Sequence, residues 1–334
     1  MFDVAIVGAG MSGLICAQQL QQAGYKVVMV EKSRGLGGRV TTRRLQDTCA
    51  DRGLSYLIPQ GELTTRFVKL LHSQAIVSVW TDTVHKFSAD FGLKAVRGTP
   101  LYVAPKGMSE IARFLAKDLE IQLSSRVVSL SLNNDGWHLQ KENSNTVFAK
   151  AVVVAIPAPQ ALMLLTPFAA PGVLDSLRKV KFSSCISVIA GYNANLPLPS
   201  WQAVTAIDDD TIAWIGNDSS KRLGMNTPVF VFHSAAKFAQ TYIDTEDLQP
   251  VGQQLLEKVA KLFPELSNPD WLQVDRWRYA FPTTPLADNC LNAHTPQPLV
   301  CCGDWCGGLN LEGAMRSGIA AAEQINQVLL PTSS

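Results

Sequence analysis

Phe2-Asp3-Val4-Ala5-Ile6-Val7-Gly8-Ala9-Gly10-Met11-Ser12-Gly13 opens the chain, and its reading decides how the rest is read. The first six residues form a short, mostly apolar run of the kind that makes a buried parallel strand. Leu14 to Ala23 follows with helical spacing, Gly24-Tyr25-Lys26 turns the chain, and Val27 to Val30 reads as a second strand ending at Glu31. In a dinucleotide-binding βαβ unit each part has a physical job. Gly8 permits the tight turn, Gly10 lets backbone approach a pyrophosphate, and Gly13 lets the helix pack close to the strand. Met11 and Ser12 stand at the helix start, where free N–H groups and the positive dipole end attract phosphates. Glu31, eighteen residues past Gly13, is placed to accept hydrogen bonds from ribose hydroxyls. A lone glycine triplet is weak evidence. With the strand before it, the helix after it and the acid at this distance, it is specific.

With 334 residues the chain predicts two domains, on a rule of about 150 residues each. Hydrophobic residues at 47% and charged residues at 17% suit a well-packed enzyme and exclude a disordered chain. A formal charge of +1 gives no reason to expect nucleic acid or an anionic membrane surface. No apolar run approaches the roughly 20 residues needed to span a bilayer, and no signal peptide precedes the first strand, so the expectation is a cytoplasmic protein. The seven cysteines are scattered, odd in number and without CxxC spacing, and read as reduced buried thiols. The five histidines lack metal-ligand spacing, so no metal is expected.

Glu31 is followed by Lys32-Ser33-Arg34-Gly35-Leu36-Gly37-Gly38-Arg39, and five arginines fall between positions 34 and 52. The Gly-Gly pair followed by Arg suggests a second close backbone approach to a phosphate, with Gly38 and Arg39 facing the anion. Arg43 and Arg44 face either substrate or solvent. Thr64 to Leu71 has helical spacing, and Val77 to Phe87 and Leu93 to Val103 alternate as antiparallel strands do. A helix is expected from the Pro105–Glu110 stretch to about Lys117, then strands at 121–123, 126–132, 137–140 and 151–156. Composition changes from about Leu162 to Asn289, where strands at 184–192, 203–207, 212–217 and 229–234 and a helix over 250–262 indicate a mixed sheet with helices. Asp208-Asp209-Asp210 reads as a solvated turn. His233 closes the strand Val229-Phe230-Val231-Phe232, a position where most histidines are structural.

The Gly-Gly-Arg element and Asp51-Arg52-Gly53-Leu54-Ser55-Tyr56 resemble the FAD-binding amine oxidase superfamily, whose D-x-G-x-x-Y/F segment lies beside the isoalloxazine. Ser55 departs from the usual Gly-Ala-Gln continuation. Leu299-Val300-Cys301-Cys302-Gly303-Asp304 resembles the motif whose acid binds the flavin's sugar-alcohol chain. Leu311-Glu312-Gly313-Ala314-Met315-Arg316-Ser317-Gly318 resembles the last helix, whose N-terminus faces the flavin pyrimidine. Within the superfamily the chain is most similar to renalase-like FAD oxidoreductases, through Cys302-Gly303-Asp304-Trp305-Cys306, Glu312-Gly313-Ala314, Arg276-Trp277-Arg278-Tyr279-Ala280 with Pro282, and His233-Ser234-Ala235. Phe238 stands where related sequences carry Trp, and Asn310 where an Arg often stands.

The resemblance implies an α/β fold: an FAD-binding Rossmann-like domain of the glutathione reductase/amine oxidase type plus an α+β substrate domain with a mixed or antiparallel sheet. Residues 1–75, 101–161 and 290–334 would form the first domain, and 76–100 and 162–289 the second. It implies cofactor contacts at Gly8, Gly10, Met11, Ser12, Gly13, Glu31, Lys32, Gly38, Arg39, Val127, Gly303, Asp304, Glu312, Gly313 and Ala314. His233, Trp305, Tyr56 and Tyr279 would line the catalytic site. The cofactor would be non-covalent FAD, with Cys301, Cys302 and Cys306 outside the expected tether pattern. The reaction would be hydride transfer from a small reduced substrate to flavin N5, with reoxidation by O2. The leading substrate is a reduced nicotinamide dinucleotide isomer, with arginines 43, 44, 276 and 278 available to an anion. An amine oxidase, a carotenoid-type desaturase and a flavin-binding sensor without turnover are the alternatives, and the oligomeric state stays open.

Overall fold

Strand β1 (Phe2–Val7), helix α1 (Met11–Gln22) and strand β2 (Val27–Val30) form the opening unit of this computed structural model, which describes residues 1–45, 48–222, 224 and 227–329. A two-stranded ribbon, β3 (Thr42–Arg44) and β4 (Cys49–Asp51), leads to α2 (Glu62–Ser73). Strands β5 (Ser78–Ser88) and β6 (Gly92–Val103) make a long hairpin. Then come α3 (Ser109–Leu115), β7 (Glu120–Gln122), β8 (Val127–Asn133), β9 (Gly136–Lys141) and β10 (Thr146–Val154). Helices α4 (Ala158–Leu165) and α5 (Pro171–Lys179) precede β11 (Lys181–Gly191), β12 (Ala203–Ala206), β13 (Ile212–Asn217) and β14 (Val229–Ser234). The chain ends with α6 (Ala236–Tyr242), α7 (Gln249–Leu262), β15 (Trp271–Thr284), β16 (Leu291–Asn292), β17 (Leu299–Cys301) and α8 (Asn310–Leu329).

One sheet runs β16-β17-β10-β1-β2-β7, with β17, β10, β1, β2 and β7 parallel and the β8–β9 pair attached to β10. Val4 and Ile6 of β1 face a core shared with α1, α3 and α8, while Ala5 and Val7 face a second core shared with β8, β9, α4 and α5. Burial on both faces is why this strand is apolar without alternation.

The second sheet runs β15-β11-β14-β13-β12-β5-β6 and is antiparallel except for the β12–β5 pair. Its two faces separate by the period of two. Ile186, Val188, Ala190, Phe230 and Phe232 pack under α6 and α7. Ile189, Val229 and Val231 face Ala50 of the ribbon, so that face looks toward the first sheet's loops. The expected strands at 212–217 and 229–234 occur where the sequence placed them.

Other expectations shift. The helix after Pro105 spans only Ser109–Leu115, because Gly107 sits at φ +105 in the preceding turn. Asp209 is not a free solvated carboxylate: it accepts from the Thr211 and Ile212 backbone N–H groups and pairs with Lys258. The fourteen-residue β15, beside β11, carries the Arg276–Ala280 motif, which sequence inspection left without an element.

Four fully buried charges tie the ribbon to the second sheet. Lys221 Nζ lies 3.2 Å from Asp51 Oδ2 and 2.6 Å from Asp218 Oδ1, and the Arg222 guanidinium reaches the same two carboxylates at 3.0 and 2.6 Å. Asp51 also accepts from Thr42 Oγ1 and the Met108 N–H. Burial pushes the Asp51 carboxyl up, but the two cations and these hydrogen bonds more than reverse it and leave it below the ordinary range. Removing one partner strands an uncompensated buried charge. Lys221→Met is therefore expected to cost about 3–5 kcal/mol, read as a lowered urea midpoint. A midpoint within experimental scatter of the parent would show that the quartet is not holding the fold.

Candidate active site

The carboxyl ends of β2, β1, β10 and β17 lie side by side, and the loops leaving them carry most of the sequence-predicted cofactor residues. This is the edge at which parallel α/β sheets bind ligands. Gly8 holds φ +105, and a Cβ there would stand 2.6 Å from the Ala155 carbonyl oxygen. A Cβ on Gly13 would stand 2.3 Å from the Gly8 carbonyl oxygen, so α1 can meet β1 this closely only with glycine. Gly10, by contrast, has open space beside it, as a backbone that must receive a phosphate requires. Met11 and Ser12 are buried in the first turn of α1.

Glu31 accepts the Ala9 N–H on Oε2 and the Ser33 N–H on Oε1, both at 2.8 Å, which leaves a lone pair on each oxygen for a sugar hydroxyl. The second glycine loop docks on the first, with the Gly37 N–H donating to the Ala9 carbonyl at 2.8 Å and Gly38 beside Gly10. Lys32 is exposed, and Val127 follows a segment whose Ser125 N–H donates to the Glu31 carbonyl. Arg39 departs from its expected free, anion-facing role. It makes a bidentate pair with Asp304 at 2.7 Å and donates to the Ala280 carbonyl at 2.8 Å. The two motifs read separately in the sequence are therefore one latch.

The opposite wall is the ribbon-facing side of the second sheet. Asp275, Ser187, His233 and Trp214 lie in register across β15, β11, β14 and β13. Ser187 Oγ, His233 Nε2 and Trp214 Nε1 are enclosed and have no hydrogen-bond partner, and the same holds for Ser55 Oγ on the turn after β4. A buried polar atom left unpaired is costly, and several in one place mark a surface shaped for a polar ligand. Burial drops the His233 imidazole to about 4, with the Arg52 backbone acting against that and the Lys221 charge reinforcing it, so the ring is neutral near pH 7. Asp275 is paired with Arg52 at 2.8 Å and with Arg43 at 3.6 Å. Trp277 donates Nε1–H to the Arg52 carbonyl at 3.0 Å. Tyr56 packs on Trp214 with centroids 4.9 Å apart, and burial raises its phenol.

Several expected residues lie elsewhere. Trp305 is 1% exposed, donates to the Ile156 carbonyl and sits in the core beneath Gly303, so it is a packing residue rather than a wall of the site. The Glu312 carboxylate accepts the Leu63 and Thr64 N–H groups and caps α2, which takes its side chain away from a cofactor role. Gly313 and Ala314 begin α8 against the Gly308 turn and the core. Tyr279 packs on Phe182, next to the Ala280 carbonyl that Arg39 holds. Arg276 binds the Ile243 and Thr245 carbonyls and Arg278 pairs with Asp244, so neither is available to a substrate anion. Phe238 packs on Tyr242 against the far face of the sheet. Sequence reading missed Ser187, Trp214 and Asp275. Ser187 left a signal, a serine inside the apolar run Cys185–Ala190; Trp214 left none.

No group of three or more His, Cys, Asp or Glu side chains among the described residues could hold a metal ion, and no described helix is long and apolar enough to cross a membrane. The glycine cradle, the acid at the end of β2 and the Arg39–Asp304 latch fit a flavin nucleotide. Residues 86–326 match the flavin containing amine oxidoreductase family, and residues 6–71 match the NAD(P)-binding Rossmann-like domain. The chain belongs to the flavin-containing amine oxidoreductase family and is a flavin-dependent oxidoreductase of the amine oxidase type. It is 22% identical over 349 residues to renalase of Mus musculus, covering 98% of this chain and 100% of that protein. An L-amino-acid oxidase of Sistrurus catenatus edwardsii is 42% identical over 66 residues, 20% of this chain and 13% of that protein. Among solved structures, cyclohexylamine oxidase from Brevibacterium oxydans shares the fold at TM-score 0.74 and 14% identity, covering 99% of this chain and 100% of that one. Putrescine oxidase does so at 0.72 and 14%, covering 98% and 99%.

Because the folded-state value of His233 lies near 4 and the unfolded one near 6.5, the unfolded chain takes up the extra proton between them. The stability that neutral His233 contributes is complete above about pH 6.5 and declines as pH falls toward 4. His233→Gln should flatten the fall in urea midpoint between pH 6.5 and 4.5. An unchanged slope would place the acid sensitivity on other groups.

Proposed function

We propose that this protein is an oxidoreductase with dissociable FAD that takes a hydride from a reduced nicotinamide dinucleotide isomer and passes the electrons to O2. The row of unpartnered neutral polar atoms at Ser187, His233 and Trp214 carries this reading. Trp214 Nε1 can only donate, while Ser187 Oγ and neutral His233 can donate or accept. Together they suit the carbonyl and amide of a carboxamide. A bound flavin supplies the hydride acceptor, so the wall needs no base; its residues orient the substrate and exclude water. Gly8, Gly10, Gly13, Glu31, Gly38 and Asp304 would hold the cofactor, with Arg39 fixing Asp304. Two glycine loops and an acid placed for a ribose support a dinucleotide over a mononucleotide flavin. Burial raises the Cys301 thiol to about 12 and the Cys302 thiol well above its ordinary value, which supports a cofactor that is not tethered through either.

An amine substrate is the second reading, favoured by the family and by the aromatic side chains Tyr56, Trp80 and Trp214. Against it, Tyr56 and Trp214 touch each other rather than facing across a gap. The one carboxylate in the row, Asp275, is already neutralised by two arginines, so an ammonium group meets no free counter-charge there.

The test is anaerobic mixing of the yellow holoprotein with NADH, NADPH, their dihydro isomers and a panel of primary and secondary amines. Fast bleaching of the oxidised-flavin band by the dihydro isomers alone is expected, and bleaching by amines would move the protein to the second reading. Acid precipitation should leave the yellow colour in the supernatant, whereas colour in the pellet would disprove a dissociable cofactor.

A further inference from the structure

The arginines that sequence reading offered to an anionic substrate are mostly engaged elsewhere. Arg276 and Arg278 hold the α6–α7 connection, and Arg43 lies on Gln273 and Asp275. A dinucleotide would still bring a negatively charged pyrophosphate to be met. A groove lies on the same sheet face as His233, beyond the Trp214 end of the row. It has a volume of about 460 Å³, between Ile58–Gln60 on one side and Val84, Lys86, Val96 and Thr99 of the β5–β6 hairpin on the other.

Two observations give the groove its charge. Lys86 of β5 and Lys94 of β6 stand directly opposite each other in the antiparallel register, and their side chains fall on the face of Val84 and Val96. Like charges in directly opposed positions destabilise a strand pair. Among the described residues neither lysine makes an ion pair, so no carboxylate neutralises the opposed charges. Lys94 Nζ instead rests over the Phe91 ring, 4.9 Å from its centroid. The carboxylate in the groove, Asp82, does not offset them, because Arg97 at 2.7 Å and Thr83 at 2.9 Å already engage it. Lys86 lines the groove and Lys94 stands across the hairpin from it, so two ammonium groups flank a groove whose own carboxylate is already paired.

The groove and the proposed reaction site share one face of the second sheet. Lys86 pairs with Thr205, Thr205 with Trp214, and Trp214 with His233, all pointing to one face. Three inter-strand steps of about 4.8 Å separate Lys86 from His233, roughly 14 Å. A substrate with a nucleotide-sized tail covers that distance and a simple amine does not. Leu101 lines the groove and packs in one cluster with Trp214 and Tyr56.

We propose that this groove is a second subsite that receives the phosphate-bearing tail of the substrate, with Lys86 and Lys94 meeting its negative charge. The proposal rests on the reduced-nicotinamide reading above and adds to it a place where the non-reacting half is held. Binding energy collected there acts on affinity for the tail and leaves recognition of the ring to Trp214, His233 and Ser187.

The test uses the FAD holoprotein, anaerobic stopped-flow flavin reduction, and one dihydronicotinamide isomer in two forms: the full dinucleotide and the phosphate-free riboside. In Lys86→Glu/Lys94→Glu protein, the half-saturating concentration of the dinucleotide is expected to rise about tenfold or more, while that of the riboside stays at the parent value. Raising salt from 0.05 to 0.5 M should weaken the dinucleotide, but not the riboside, in the parent protein. Lys86→Arg/Lys94→Arg should retain the parent's preference. The unchanged riboside serves as the control for folding. No change with either form, or an equal change with both, would overturn the subsite while leaving the reaction reading intact. A parent flavin that neither form reduces would remove the reaction reading and the subsite with it.

Discussion

Asp51 closes the β3–β4 ribbon, Asp218 opens the turn after β13, and Lys221 and Arg222 from that turn bind both carboxylates out of contact with solvent. Any one of these ions alone would be expensive to desolvate, and together they are formally neutral. That makes their geometry all or none. Because Asp51 also takes the Met108 N–H and the Thr42 hydroxyl, the quartet fixes the ribbon, the loop before α3 and the second sheet to one another. The next residue, Arg52, offers its carbonyl to Trp277 and its guanidinium to Asp275. Through Asp51 and Arg52 this joint ties the ribbon to the sheet that carries His233. Hydrophobic contact between the sheets, which is non-directional, could not impose that register.

The same joint sorts the positive charges. Arginine's planar fork suits fixed bidentate contacts, and this chain uses it so: Arg39 on Asp304, Arg222 across two aspartates, Arg276 on two carbonyls of the α6–α7 connection. Groups locked into such contacts are poor hosts for a ligand that comes and goes. Lysine's flexible, strongly hydrated ammonium suits that task better, and Lys86 and Lys94 stand opposite each other on the hairpin. On the proposed reading, that division would keep the protein rigid around the reacting ring and leave adaptable charge at the periphery.

Most of the first sheet was legible in the sequence because parallel strands buried on both faces leave unbroken apolar runs, and glycine positions at their ends report steric necessity. Gly8, Gly13 and Glu31 could be assigned from spacing alone for that reason. The wall opposite was only half legible. His233 stood out by type, but Ser187 and Trp214 come to flank it only through the pairing of β14 with β11 and with β13, which no local pattern encodes. Resemblance also misled where a side chain could turn either way. Glu312 sits at the expected place on α8, yet its carboxylate points to α2, whose unsatisfied N–H groups compete for it successfully. Trp305 follows Gly303-Asp304 as expected but folds inward, because the absence of a Cβ on Gly303 opens the space its indole fills.

Which departures from related sequences can matter for substrate choice follows from the sheet's two faces. Phe238 lies on α6 above the face built from Ile186, Val188 and Phe232, so a change there reaches the ligand only by shifting the packing of a whole layer. Ser55 and Trp214 lie on the face toward the cofactor loops, each with a polar atom that has no protein partner. A residue on that side changes the hydrogen-bonding pattern offered to a ligand directly, at no cost to the core behind it. Because side chains alternate strictly along a strand, one residue's difference in position separates the two consequences. On the proposed reading, substrate choice would rest on the alternate residues of β11, β13 and β14 and on the turn that faces them.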